Sequence, residues 1–342
     1  MKFCSFVSTV FFLLLAACSS GIAAGPVPAP IDWKAFDRPQ VRDAGSSGPT
    51  ERERAIPEAY IRILEAPENA PLATLLDSNV SMSFPGLVDT RGRASVIQSH
   101  EQLFGAFAPR VIRARRIFRT DSVQIIEWTL DGIASRSWMG VANAHGAASF
   151  DGITFLSTTD DGTITDVHVY FDVASVKVQL RAASEKLANH PIPKETSAST
   201  DIVKAMDTSE ETENVAVVRA MLDSLERRDD AAYVRSLADS IEESVPDRAL
   251  TLHGKDEVRG RTKALIRAIS QLDTTIHSAN GADRFVVVEY TLSGVLVGPL
   301  GFLAPTNRVV TLHVVDVIEM GEGKVISLRE YGNFAEVLSS GS

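Results

Sequence analysis

Cysteine is nearly absent from this chain of 342 residues: Cys4 and Cys18 are the only two. Everything beyond Cys18 is therefore built without a disulfide, a thiolate-held metal or a cysteine nucleophile. Basic charge is in deficit, with 34 Lys and Arg against 44 Asp and Glu and a net charge of −10. A polyanion-binding surface would have to be assembled against that field, so nucleic acid is not an expected partner. His100, His145, His168, His190, His253, His277 and His313 include no short-spaced ligand pair such as HExxH, so no metal is expected. No Gly-rich phosphate loop or nucleophile elbow occurs. What remains is 44% hydrophobic and 23% charged residues, the balance of a globular protein, in a length that suits two ordinary domains.

The chain opens MKFCSFVSTVFFLLLAACSS, one positive charge followed by an apolar run and then small residues, the layout of a secretory signal. As a helix its apolar part would reach about 18 Å, short of the roughly 30 Å of a bilayer core. Leu15-Ala16-Ala17-Cys18 resembles a bacterial lipobox, which implies cleavage after residue 17 and acylation of Cys18; a plain signal peptide cleaved elsewhere is the other reading. Ser19 after the cysteine favours the outer membrane, facing the periplasm. Residues 18–54, rich in Pro, Gly and Ser, read as a tether, with Trp33 and Phe36 available to dock on the protein itself.

The rest reads as one unit written twice. Aligning Gly92 with Gly254 carries an ungapped match through Gly132 and Gly294, in which Val96, Leu103, Ala106, Asp121, Glu127, Thr129 and Leu130 recur. DSVQIIEWTLDG faces DRFVVVEYTLSG, and GTITDVHVYFD faces GKVISLREYGN after one residue of slippage. The expected domains are 55–184 and 213–338, joined by a polar connector at 185–212. Apolar residues at helical spacing predict helices over 58–66, 72–76 and 94–107, and over 214–226, 230–238 and 257–272. Strand-like runs follow at 111–119, 122–130, 147–157 and 163–171, with their counterparts inside 274–331. Helices followed by strands with short turns, without crossover helices, predict an α+β fold with a mainly antiparallel sheet.

These blocks, with FGAFAPRVIRARRIFRTDSVQIIEWTLDG and FDGITFLSTTDDGTITDVHVYFDVASVKVQL in the first copy, resemble the SnoaL-like polyketide cyclases of the nuclear transport factor 2-like superfamily. The second copy carries the same marks at Gly298, Gly301 and Glu322-Gly323-Lys324-Val325. The resemblance implies two tandem cones, each a curved antiparallel sheet wrapped around helices, which pair through their sheets as an intrachain pseudo-dimer. It also implies chemistry without metal or cofactor, in which one carboxylate in an apolar cone moves a substrate proton. Family members often carry His and Asp on the inward row of the last strand, at positions that align with Val167 and Val169. On that alignment the first copy has lost its proton-transfer pair, and His168 faces away from the cone or toward a neighbour.

Strand periodicity sorts the remaining candidates. In the second copy the inward row reads Ile326, Leu328 and Glu330, so Glu330 is the one candidate catalytic carboxylate, either a base with raised pKa or a glutamate reaching water at the rim. Trp128 and Tyr290 share rows with Ile126 and Leu130, or Val288 and Leu292, and are expected to line the cones. With Val167, Val169 and Leu328 they form the expected ligand pocket. Glu127 and Glu289 fall on the opposite face, solvated or in sheet contacts. Two functions stay open: a lipid-anchored protein binding small apolar molecules or a protein partner without catalysis, and a cofactor-independent enzyme of cyclase, isomerase or hydratase type working from the second copy.

Overall fold

A computed structural model describes residues 51–65, 72–120, 123–142, 146–183, 200–245, 250–301 and 303–340. The signal segment, Cys18 and nearly all of the tether lie outside the described residues. Among the described residues no helix is long and apolar enough to cross a membrane.

The N-terminal half runs α1 (Glu51–Glu65), a 3-10 turn (Leu72–Thr74), β1 (Leu76–Ser83), β2 (Thr90–Arg91), α2 (Arg93–Phe104), β3 (Phe107–Arg119), β4 (Val123–Ala134), β5 (Ala147–Thr158), β6 (Ile164–Tyr170) and α3 (Val173–Ala183). After β7 (Asp201–Lys204) the C-terminal half runs α4 (Ser209–Glu226), α5 (Asp230–Arg235), β8 (Leu237–Val245), β9 (Leu250–His253), α6 (Gly254–Ala268), β10 (Ile269–Ala282), β11 (Phe285–Leu296), β12 (Val309–Gly321), β13 (Lys324–Gly332) and α7 (Ala335–Ser340). The fold is α+β in two sheets, ordered β2-β1-β6-β5-β4-β3-β7 and β10-β11-β12-β13-β8-β9. Each half buries its own core, the first around Val96, Trp128 and Phe171, the second around Leu222, Val258 and Leu328.

Three departures from the expected elements have local causes. The helices expected at 72–76 and 230–238 stop at Thr74 and Arg235, and strands β1 and β8 begin two residues later. A register shift in each, between Leu76 and Ser81 and again opposite Val325 and Ser327, breaks the period-two alternation that would announce a strand. Both strands pair parallel to the last long strand of their half, so the sheets are mixed. Asp201–Lys204, inside the stretch read as a connector, pairs parallel to Arg116–Arg119 at the edge of the first sheet. Its four residues are too few for a periodic signal.

The recurring glycines have a shared reason. Gly92 and Gly254 precede the inner turns of α2 and α6 with φ of 89° and 77°, a left-handed conformation that costs other residues a steric penalty.

The outer faces of the two sheets share one apolar cluster, in which Phe118, Ile153 and Phe155 of the first meet Phe285, Val315 and Val317 of the second. Both sheets belong to one compact unit.

Candidate functional site

In the N-terminal half the inward rows are filled. Val167 and Val169 are fully buried in the core, and Trp128 sits among Phe104, Phe150 and Phe171 with ring centroids 5.7–6.0 Å away. Its indole occupies the volume a Cβ would need at the facing Gly152, and its Nε1–H donates to Thr154 Oγ1 at 2.9 Å. The buried polar pair Tyr60 and His100 is satisfied: Tyr60 donates to His100 Nε2 at 2.7 Å, and Nδ1–H donates to the Val96 carbonyl at 2.8 Å. Burial pulls the His100 pKa down to about 4, so the imidazole is neutral and satisfied.

The C-terminal half differs at Glu330 and around it. Tyr290 and Leu328 face its core as expected, both almost fully buried. Glu330 faces inward too, at 8% exposure, yet neither expected state describes it. It does not escape to the rim, and it is not unpaired: Arg261 Nη2 donates to both its oxygens at 2.6 and 2.7 Å. The inner face of α6, with Val258, Thr262 and Ile266 buried beside it, delivers that guanidinium. Nη1 of the same arginine pairs with Glu243 of β8, which is itself 2% exposed. A third of the Arg261 side chain still reaches solvent, which connects the cluster to the outside.

A second buried carboxyl group beside Glu330 is Asp316 of β12. It lies on the row Val310, Leu312, Val314, Ile318, Met320, all buried in the second core, and is the direct ladder partner of Glu330. Tyr290 donates to Asp316 Oδ2 at 2.9 Å, while Oδ1 has no protein partner. Burial first, and then the nearby Glu330 charge, push its pKa well above the ordinary carboxylate range. Burial also raises Glu243, against the pull of Arg261. Tyr290 and Tyr233 are held as neutral phenols by burial and by the same carboxylates. A carboxyl group raised by burial therefore stands beside one bound by arginine, two unlike environments for two like groups.

Asp316 was legible by the reasoning applied to Glu330, a lone carboxylate on an apolar strand row. Arg261 and Glu243 were not, because their partners lie on other elements. Ladder register equates Glu243, Asp316 and Glu330 with Met82, Thr154 and Val169 of the first half. The aligned glycines place Ser99 where the second half has Arg261. The whole cluster is thus replaced by groups that need no counter-charge.

Glu127 and Glu289 are not solvated; they lie between the sheets at 0% and 4% exposure. Tyr331 donates to Glu127 at 2.8 Å with Arg329 Nε at 3.3 Å, and Tyr170 donates to Glu289 at 2.5 Å with His168 Nδ1 at 2.7 Å. Among the described residues no group of three or more His, Cys, Asp or Glu is arranged to hold a metal ion.

Residues 218–328 match the family profile described as a SnoaL-like domain. No curated protein matches the chain. Among solved structures, a protein of Jannaschia sp. CCS1 named for its likeness to SnoaL polyketide cyclases is 18% identical, with 39% of this chain and 94% of that one covered and a TM-score of 0.37. An LEH-like epoxide hydrolase of M. tuberculosis is 19% identical over 38% of this chain and 89% of its own, at a TM-score of 0.32. An NTF2-like protein of unknown function from Burkholderia pseudomallei is 22% identical over 37% and 96%, at 0.33. The matched residues include Arg261, Glu243 and Asp316, and they end two residues before Glu330.

Proposed function

We propose that the C-terminal half is a cofactor-independent acid–base enzyme of the cyclase or isomerase type, acting on an uncharged, largely apolar ketone. The observation that carries this is the pair Asp316 and Glu330, ladder partners in one apolar cone, of which the first has no ion-pair hydrogen bond and the second is held by Arg261. In the proposed step Glu330 takes a proton from the carbon beside the carbonyl. The C–H electron pair becomes the C=C bond of an enol, and the carbonyl oxygen takes the Asp316 proton. The cluster sets three carboxyl groups, Glu243, Asp316 and Glu330, against the one guanidinium of Arg261, a balance that disfavours anionic substrates. The N-terminal half, whose interior is filled and has no equivalent pair, takes no part in this chemistry directly. We further propose that the two halves are tandem copies, and that Cys18 is acylated and holds the chain at the outer membrane.

Proton exchange tests the enzymatic reading. Cyclic β-diketones and β,γ-unsaturated ketones are incubated with the full chain in deuterated water and followed by proton NMR. Exchange in the wild type that is lost in Asp316→Asn and Glu330→Gln is expected; no exchange above the Asp316→Asn background for any ketone leaves the binding reading.

A further inference from the structure

The residues that join the sheets are the immediate neighbours of the residues that form the acid–base cluster. Glu289 precedes Tyr290 on β11, and Arg329 and Tyr331 flank Glu330 on β13. Because successive strand side chains point to opposite faces, each pins from behind a backbone whose next residue enters the cone. Glu289 is gripped by Tyr170 and His168, and Arg329 and Tyr331 by Glu127, all of them from the N-terminal half. These contacts are buried and charge-assisted, the strongest hydrogen bonds available to a protein. An apolar slide between the sheets would leave the register of β11 and β13 free to shift; these bonds do not.

The N-terminal half has no corresponding site to position. Glu127 is followed by Trp128, and His168 and Tyr170 flank Val169, residues of a filled core. The same contacts therefore have a functional neighbour on one side only.

We propose that the N-terminal half is a positioning partner for the C-terminal cone: Tyr170 and His168 on Glu289, and Glu127 on Arg329 and Tyr331, fix β11 and β13 so that Tyr290 and Glu330 meet Asp316 and Arg261. The inference rests on the acid–base reading of that cluster and assigns the first half a task there. Tyr170, His168 and Glu127 are positioning residues, since none touches the cone interior of the second half.

The test follows the carboxyl carbon of Asp316 by NMR titration in the full chain, in the wild type, Tyr170→Phe, Tyr331→Phe and Val167→Ala. The last variant loosens the first core without touching the interface and controls for general destabilisation. The two tyrosine variants are expected to move the Asp316 midpoint by half a pH unit or more, about threefold in proton affinity, with Val167→Ala unchanged. Midpoints unchanged in both tyrosine variants, or moved equally by Val167→Ala, overturn the proposal. A wild-type Asp316 that titrates near the ordinary value of about 3.9 overturns the acid–base reading by itself, and the comparison among variants still decides whether the interface positions the cluster.

Discussion

Asp316 and Glu330 face each other as ladder partners on β12 and β13, and one guanidinium serves only the second of them. The two carboxyl groups are chemically alike, and their environments separate them. Burial and the Glu330 charge raise the Asp316 pKa against a weaker pull from Arg261, while Arg261 gives Glu330 the direct partner a buried carboxylate needs.

A stability consequence follows for Asp316. Its folded pKa is raised, so the folded state holds a proton that the unfolded chain releases above about pH 3.9. Stability should fall as pH rises from that value toward the folded pKa, by at most about 1.4 kcal/mol per pH unit. Asp316→Asn should remove this slope, so denaturant unfolding of both proteins between pH 4 and pH 7 measures the effect directly.

Removing the shared cation is costlier. Arg261→Met leaves Glu243 and Glu330 buried without their counter-ion, a loss of about 3 kcal/mol for partners of this burial. Adding Glu243→Gln and Glu330→Gln to the same background should recover most of it. If the triple variant unfolds at the same denaturant concentration as Arg261→Met, the loss comes from packing of the arginine stem instead.

Between the sheets, His168 lies 2.8 Å from Asp166 and 2.7 Å from Glu289, so both ring nitrogens face carboxylates. Burial opposes its charge, but Glu289 and Asp166 outweigh that and raise its pKa well above the usual value. Its contribution is complete below about pH 6.5 and is lost as pH rises through the folded value. Glu289, which burial alone would raise, is drawn down to about 2 by His168 and Tyr170. Its share is present above about pH 4.3 and is lost as pH falls toward 2. His168→Gln should cost about 2 kcal/mol near pH 6 and much less at strongly alkaline pH, where wild type and variant converge.

The first cone should not accept the cluster one residue at a time. Val169→Glu places a carboxylate where Ser99 stands in place of Arg261, with no cation to meet it. Destabilisation of roughly 3 kcal/mol or more is expected, measured by thermal or urea unfolding. A near-neutral result would mean that the first core admits water.

The α+β architecture was readable because long strands such as β4 and β11 are rich in β-branched and aromatic residues around a short alternating stretch, and because the glycines at 92 and 254 recur before a helix. Period-two reasoning also put Trp128, Val167, Val169, Tyr290, Leu328 and Glu330 on inward rows, where the structure has them. It failed for β1 and β8, where irregular register interrupts alternation, and with β8 it missed Glu243. Arg261 was hidden for another reason: on an isolated amphipathic helix an arginine reads as solvated, and only the packing of α6 over β8 and β13 turns it inward. Burial of Glu127 and Glu289 was likewise set by sheet-on-sheet packing, which no single strand encodes.

The placement of aromatic rings makes the molecule optically one-sided. Of three tryptophans, Trp128 and Trp138 are both buried in the first core and Trp33 lies before the described residues, so the C-terminal half contains none. Indole fluorescence and its near-ultraviolet dichroism therefore report on the filled half, and events around Asp316 pass without an indole signal of their own. An unfolding curve followed by tryptophan emission tracks the N-terminal core, whereas tyrosine absorbance samples both halves through Tyr60, Tyr170, Tyr233, Tyr290 and Tyr331. Divergence between the two curves would mean that the halves melt separately, and coincidence that the shared sheet face makes them one cooperative unit.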